Sequence, residues 1–101
     1  MEENAVRITG LVREIKTPRT SPAGIVHHEL ILEHRSLQSL DGKPREVRAE
    51  VIVKVTGQQL ARQIDSLQPG NRIKVEGLLA QASHYDKQQL LIHAQAIERF
   101  E

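Results

Sequence analysis

The sequence predicts an all-β fold, a small barrel with one short helix between its third and fourth strands. Three observations carry this. Apolar residues recur at every second position along most of the chain, the period of a half-buried strand. The helical spacing occurs in one short segment only. The 101 residues hold two aromatics, Tyr85 and Phe100, and no Trp, so Val, Ile, Leu and Ala must fill one core.

The first strand lies in AVRITGLVREI, where Val6, Ile8, Gly10 and Val12 alternate with Arg7, Thr9, Leu11 and Arg13. Residues 17–24, TPRTSPAG, with two prolines and a glycine, read as a connection. IVHHELILEHRSL is the second strand, with Leu30 and Leu32 on one face and Glu29, Ile31, Glu33 and Arg35 on the other. QSLDGKPR reads as the next connection, with Asp41-Gly42 as its turn signal. In EVRAEVIVKVTG, Val47, Ala49, Val51, Val53 and Val55 form a face to be buried, against a wetter face of Arg48, Glu50, Ile52, Lys54 and Thr56. GQQLARQIDSLQPG places Leu60, Ile64 and Leu67 on a single helical stripe and stops at Pro69-Gly70. The fourth strand follows in NRIKVEGLLAQAS, with Ile73, Val75, Gly77 and Leu79 inward; HYDKQ is a loop, and QLLIHAQAIERF is the fifth strand. Three strands, a helix and two strands is the layout of a five-stranded OB-fold Greek-key barrel. Gly10 and Gly77 suit the sharp coiling such a barrel asks of its strands. No repeat or linker divides residues 1–101, which read as a single OB-fold domain.

The absence of Cys excludes a disulfide framework and a thiolate metal site, and fits a reducing compartment. No apolar run approaches the roughly 18 residues of a membrane span, and MEENAVRI lacks the basic and apolar regions of a signal peptide. The expectation is a cytoplasmic protein with no membrane partner. The net charge of +1 is unevenly spread. Arg7 to Arg19 carries four basic residues and one acid, and Arg35 to Lys54 five basic residues and three acids. One face could therefore meet a polyanion.

Catalysis finds no support. His27 and His28 are neighbours on a strand and point to opposite faces, so they cannot grip one metal together. His34 and His93 lie on separate strands with no acidic or thiol partner beside them in sequence; surface or hydrogen-bonded histidines are the plainer reading. No GxSxG elbow or P-loop occurs. Glu29 and Glu33 share a wet face with no sign of the burial that raises a carboxyl pKa for acid work. Neither an enzyme nor a metal or cofactor is expected.

Binding is better supported. OB-folds bind single-stranded nucleic acid across strands two and three, closed over by the loops after strands one and four. Those elements carry Lys16 and Arg19 in the first connection, Arg35 at the end of strand two, and Lys43 and Arg45 in the loop beyond it. Arg48 and Lys54 stand on strand three, and His84, Tyr85 and Lys87 in the last connection. Arginine offers donors to phosphate and a plane for stacking. Tyr85 is the one aromatic placed to stack on a base, so phosphate charge must carry most of the affinity.

The pieces SPAGIVHHELILEHRS, GQQ, PGNRIKVEGLLA and LLIHAQAIE, in this order and over about Val6 to Glu98, resemble the family of primosomal replication protein N (PriB). EHRS and LIHAQAIE are the most specific of them. The resemblance implies a homodimer of single-stranded DNA-binding-protein-like OB-folds. It further implies a non-enzymatic accessory of the replication-restart primosome, acting beside the PriA helicase and other primosome proteins. It implies DNA contacts at Arg19, Arg35 and Lys87. Where enterobacterial relatives carry base-stacking aromatics between the second and third strands, this sequence has Lys43 and Arg48, and its last connection keeps a single lysine. A protein–protein adaptor that has lost useful nucleic-acid affinity is the alternative, and an RNA-binding OB domain a more distant one.

Overall fold

The computed structural model describes residues 1–83, 85 and 87–100. Its elements are β1 (Val6–Ile15), β2 (Arg19–Thr20), β3 (Val26–Leu40), β4 (Lys43–Thr56), α1 (Gln58–Asp65), β5 (Arg72–Gln81) and β6 (Leu90–Arg99). The sheet order is β1-β5-β6-β4-β3-β2, and a further β1–β3 pairing closes the five long strands into a barrel. The expected five-stranded OB-fold barrel is formed, with its helix between the third and fourth long strands. β2 is a two-residue addition, pairing Arg19 with His27 and Thr20 with Val26. The 17–24 segment is thus not wholly irregular, because its middle finds the free edge of β3.

Strand alternation builds the core. Val12, Leu30, Leu32, Val53, Val55, Ile73, Val75 and Ile92 are buried inside the barrel. α1 closes one end with Ile64, then Leu67 just beyond the helix, with Leu60 half-buried beside them; Ala61, outside the expected stripe, is buried too. A Cβ added at Gly77 would meet the His93 carbonyl oxygen at 1.9 Å, and one at Gly10 the Glu33 carbonyl oxygen at 2.4 Å. Both glycines therefore let strands cross more closely than any side chain permits. Two irregularities bend the wall: an extra residue at Arg13 in β1, and one at Gln95 in β6 opposite Glu76-Gly77.

Three expectations are corrected. QSLDGKPR is not a loop: β3 and β4 continue through it to a two-residue turn, Asp41-Gly42. Both turn residues have positive φ, 53° and 71°, the mirror-image turn whose twist matches a hairpin. Nor is one face of β4 buried throughout. β1 leaves β3 at Glu33 and β6 pairs β4 only from Ile52 to Lys54, so residues beyond these pair with each other alone. Ala49 is exposed, and Leu37 and Leu40 stand 73% and 55% exposed on this arm, which helps stretch the molecule to 49 Å in its longest dimension. Leu79, read as inward, is 41% exposed at the end of β5. There the Asn4 side chain accepts from the Leu79 N–H at 2.9 Å and donates to its carbonyl at 2.8 Å, extending β1 by one more pairing.

Candidate nucleic-acid interface

The β3–β4 ladder runs without a bulge from His27↔Thr56 to Leu40↔Lys43, so facing residues share a side and sides alternate. The outer side carries, in order, His27/Thr56, Glu29/Lys54, Ile31/Ile52, Glu33/Glu50, Arg35/Arg48 and Leu37/Glu46. Arg19 joins it through its pairing with His27. Lys16, one residue past β1, joins it by donating its backbone N–H to the Glu29 carbonyl at 2.9 Å. Five of the expected site residues, Lys16, Arg19, Arg35, Arg48 and Lys54, therefore share one face.

The two ends of that face differ. At the base of the arm, Arg35 and Arg48 stand directly opposite each other, a repulsive pairing. Glu46 relieves it: one carboxylate oxygen accepts from Arg35 Nη2 at 3.0 Å and from Arg48 Nε at 2.9 Å. The Arg48 hydrogen bond, then that of Arg35, holds the Glu46 carboxyl below its ordinary value. Arg13, pushed out by its bulge, pairs with Glu50. Arg13, Arg35, Arg48 and Glu50, with Glu33, His34 and Ala49, surround an open cleft of about 460 Å³. Arg13, Arg35 and Arg48 against Glu33, Glu46 and Glu50 leave this end balanced in formal charge.

The barrel end is cationic. Among the described residues, Lys16, Arg19 and Lys54 face a single carboxylate, Glu29, which accepts from Arg19 Nη2 at 3.4 Å. His27 Nδ1 lies 3.2 Å from Thr56 Oγ1. Parallel pairing of β6 with β4 sets His93 beside Lys54. Burial, then the charges of Lys54 and His27, hold the His93 imidazole below its ordinary pKa. The closeness of His93 to His27 was hidden in the sequence, because pairings that close a barrel join segments 66 positions apart. Arg13 was missed for a different reason: an alternating pattern gives no sign of a bulge.

The remaining expected residues fall elsewhere. Lys43 and Arg45 pair with Leu40 and Gln38, on the side of the arm opposite Arg35 and Arg48. Tyr85 is fully exposed and Lys87 exposed in the β5–β6 connection, whose base is tied by the Ala82 N–H to the Gln89 carbonyl at 2.9 Å. His84 lies outside the described residues. His34 is hydrogen-bonded as expected, Nδ1 at 2.7 Å from the Thr9 carbonyl and Nε2 at 2.8 Å from Ser36 Oγ. His28 corrects the expectation of a surface or hydrogen-bonded histidine: it is buried, and its Nδ1 has no hydrogen-bond partner among the described residues. Among the described residues no three His, Cys, Asp or Glu side chains are grouped to hold a metal, and no helix is long and apolar enough to cross a membrane.

A family model described as another single-strand binding protein family matches residues 4–96. Replication restart protein PriB of Haemophilus influenzae is 33% identical over 99 residues, spanning 95% of this chain and 90% of the relative. The chain belongs to the PriB family of single-strand binding proteins. PriB of Yersinia pseudotuberculosis is 31% identical over 99 residues, with 97% and 94% of the two chains covered. Among solved structures, PriB from Ralstonia solanacearum superposes with a TM-score of 0.86 at 21% identity, covering 99% of this chain and all of that one. The single-stranded DNA binding protein of Thermus aquaticus gives 0.78 at 26% identity, this chain matching half of it. The first of these fixes the OB-fold, and membership of the family makes the protein a binding protein and not an enzyme.

Proposed function

We propose that the protein binds single-stranded DNA across the outer face of β2, β3 and β4 as an accessory of replication restart. In this reading it is a homodimer working beside the PriA helicase and other primosome proteins, as the resemblance to the PriB family implies; the relatives' own name speaks for replication restart. The observation that carries it is the convergence of Lys16, Arg19 and Lys54, from three segments, on one side of the barrel. The arm-base arginines extend that track: their carboxylate partners are exposed pairs, which a phosphate can replace at little cost. Lys43 and Arg45 offer charge to a strand wrapping the arm, and Lys87 and Tyr85 close over it from the β5–β6 connection. Aromatic stacking is confined to Tyr85, so binding is chiefly electrostatic.

Three phosphate contacts give a slope of log affinity against log salt of about −2, or roughly a twentyfold loss between about 50 and about 200 mM salt. Fluorescence anisotropy with labelled oligo-dT measures this directly. Binding that falls with that slope supports the proposal; no binding at low salt overturns it. The latter result would favour an adaptor that meets other primosome proteins through the same barrel. Two observations speak for that second reading: the charge balance at the arm base, and a β3–β4 outer face without an aromatic residue.

A further inference from the structure

The barrel end of the face contains two histidines that phosphate binding through Lys54 and Arg19 does not by itself require. Lys54 and His93 are register partners on parallel strands, and His27 lies one rung away, opposite Thr56. All three are half-buried and face the same side. The contact of His27 Nδ1 with the Thr56 hydroxyl orients that ring and leaves Nε2 as its other hydrogen-bonding atom. We propose that His27, Lys54 and His93 form a phosphate subsite for single-stranded nucleic acid, tightened when the imidazoles take up protons.

This inference rests on the single-strand-binding reading of the face. Among the described residues, the charges around the pair come from each neighbouring element. β2 contributes Arg19 and β3 contributes Glu29, bound to each other. β4 contributes Lys54, and the end of β1 leads to Lys16. On β5 the partner of His93 is Leu78; the next acid on that side, Glu76, is engaged by Lys74 at 3.6 Å. α1 turns Gln58, Gln59 and Gln63 toward Thr56 and β6, while its Arg62 and Asp65 line a separate cleft with His28. Among the described residues, the histidines thus sit with three cations and one carboxylate. In the free protein this setting, with burial, opposes a charge on His93. A bound phosphate diester supplies the missing anion and makes protonation favourable, with Nε2–H of each imidazolium as donor. Binding and proton uptake are then linked, each strengthening the other.

The test compares oligo-dT affinity at about pH 6 and about pH 8 at fixed ionic strength, with a non-titrating dye. Thymine does not titrate in this interval. One proton taken up on binding gives up to about tenfold tighter binding per pH unit between the free and bound pKa values, and we expect a gain of roughly tenfold between the two conditions. His27→Gln with His93→Gln brings that gain close to one. Proton NMR of the wild-type imidazoles, with and without oligo-dT, provides a readout free of substitution, and both pKa values rise when the strand is added. Equal affinity at both pH values, or the same gain in the double variant, overturns the inference while the single-strand-binding reading stands. No binding at either pH overturns both.

Discussion

The two ends of the outer β3–β4 face use the same strands and opposite electrostatic strategies. At the arm base each cation has a carboxylate within reach, and one glutamate oxygen serves two arginines. At the barrel end three cations share Glu29, and two imidazoles take the places other acids could have filled. The backing differs as well. Behind Lys54 lie Leu30, Val53 and Val55, all fully buried. Among the described residues, Arg35 and Arg48 stand on a two-stranded ribbon, tied to β1 through His34. A ribbon without a core cannot hold unpaired like charges in fixed positions, so the arginines stay ordered by pairing with acids. The barrel wall has its order from packing and can leave its cations unneutralised. Net attraction for a polyanion is therefore placed on the rigid end.

The largest effect that tests this contrast is on stability. Leu32 and Leu37 lie on the same strand, one fully buried and the other 73% exposed. Leu32→Ala should cost about 2–5 kcal/mol, the range for emptying a packed core site, whereas Leu37→Ala should change stability by less than about 0.5 kcal/mol. Urea unfolding of both variants measures the difference. Comparable losses would mean that the arm is packed against something, such as a second copy of the chain, and the contrast in backing would fail.

Much of this was legible in the sequence where it depended on local pattern. Alternation identified all five long strands, and Ile64 and Leu67 marked the helix that plugs the barrel. Asp41-Gly42 announces its turn, yet the flanking Ser39, Lys43, Pro44 and Arg45 lack an apolar face and so carry no strand signal. A ribbon exposed on both sides has no reason to show one. The pattern of Val47, Ala49 and Val51 suggested burial but could not say where the barrel wall stops. Five cations of the candidate face could be collected by assigning them to strands and loops, while their division into a charge-balanced and a cation-rich group could not. That division depends on Arg35 standing across from Arg48, within reach of Glu46, and on the bulge that brings Arg13 to Glu50, hence on register. His93 reached the site through the β4–β6 pairing, which no local signal encodes.

The second test concerns binding. Lys54→Ala removes a cation with one acid neighbour to share among several, and should weaken oligo-dT binding by roughly fivefold to tenfold while reducing the salt slope by about 0.7. Arg48→Ala removes a cation already engaged by Glu46 and should cost about twofold or less. Anisotropy titrations of the two variants across a salt series compare the ends directly. If Arg48 proves the more costly, the arm base is the main contact, and the exposed pairs are broken by DNA at no penalty.

The smallest effect is a gain. Glu46 competes with phosphate for Arg35 and Arg48, so Glu46→Gln should tighten oligo-dT binding by about twofold to fivefold and steepen its salt dependence. Its pH behaviour separates it from the histidine end. The two arginines lower the Glu46 pKa, so the folded protein holds this proton less tightly than the unfolded chain. The pair's contribution to stability is present above the unfolded carboxylate pKa and is lost as pH falls through the lower folded value. Near neutrality Glu46 is fully ionised, and the restraint on the arginines does not vary with pH. The gain from Glu46→Gln should therefore be the same at about pH 6 and about pH 8, whereas the contribution of His27 and His93 changes over that interval. A Glu46→Gln effect that itself varied between these conditions would mean that the two ends act as one coupled site.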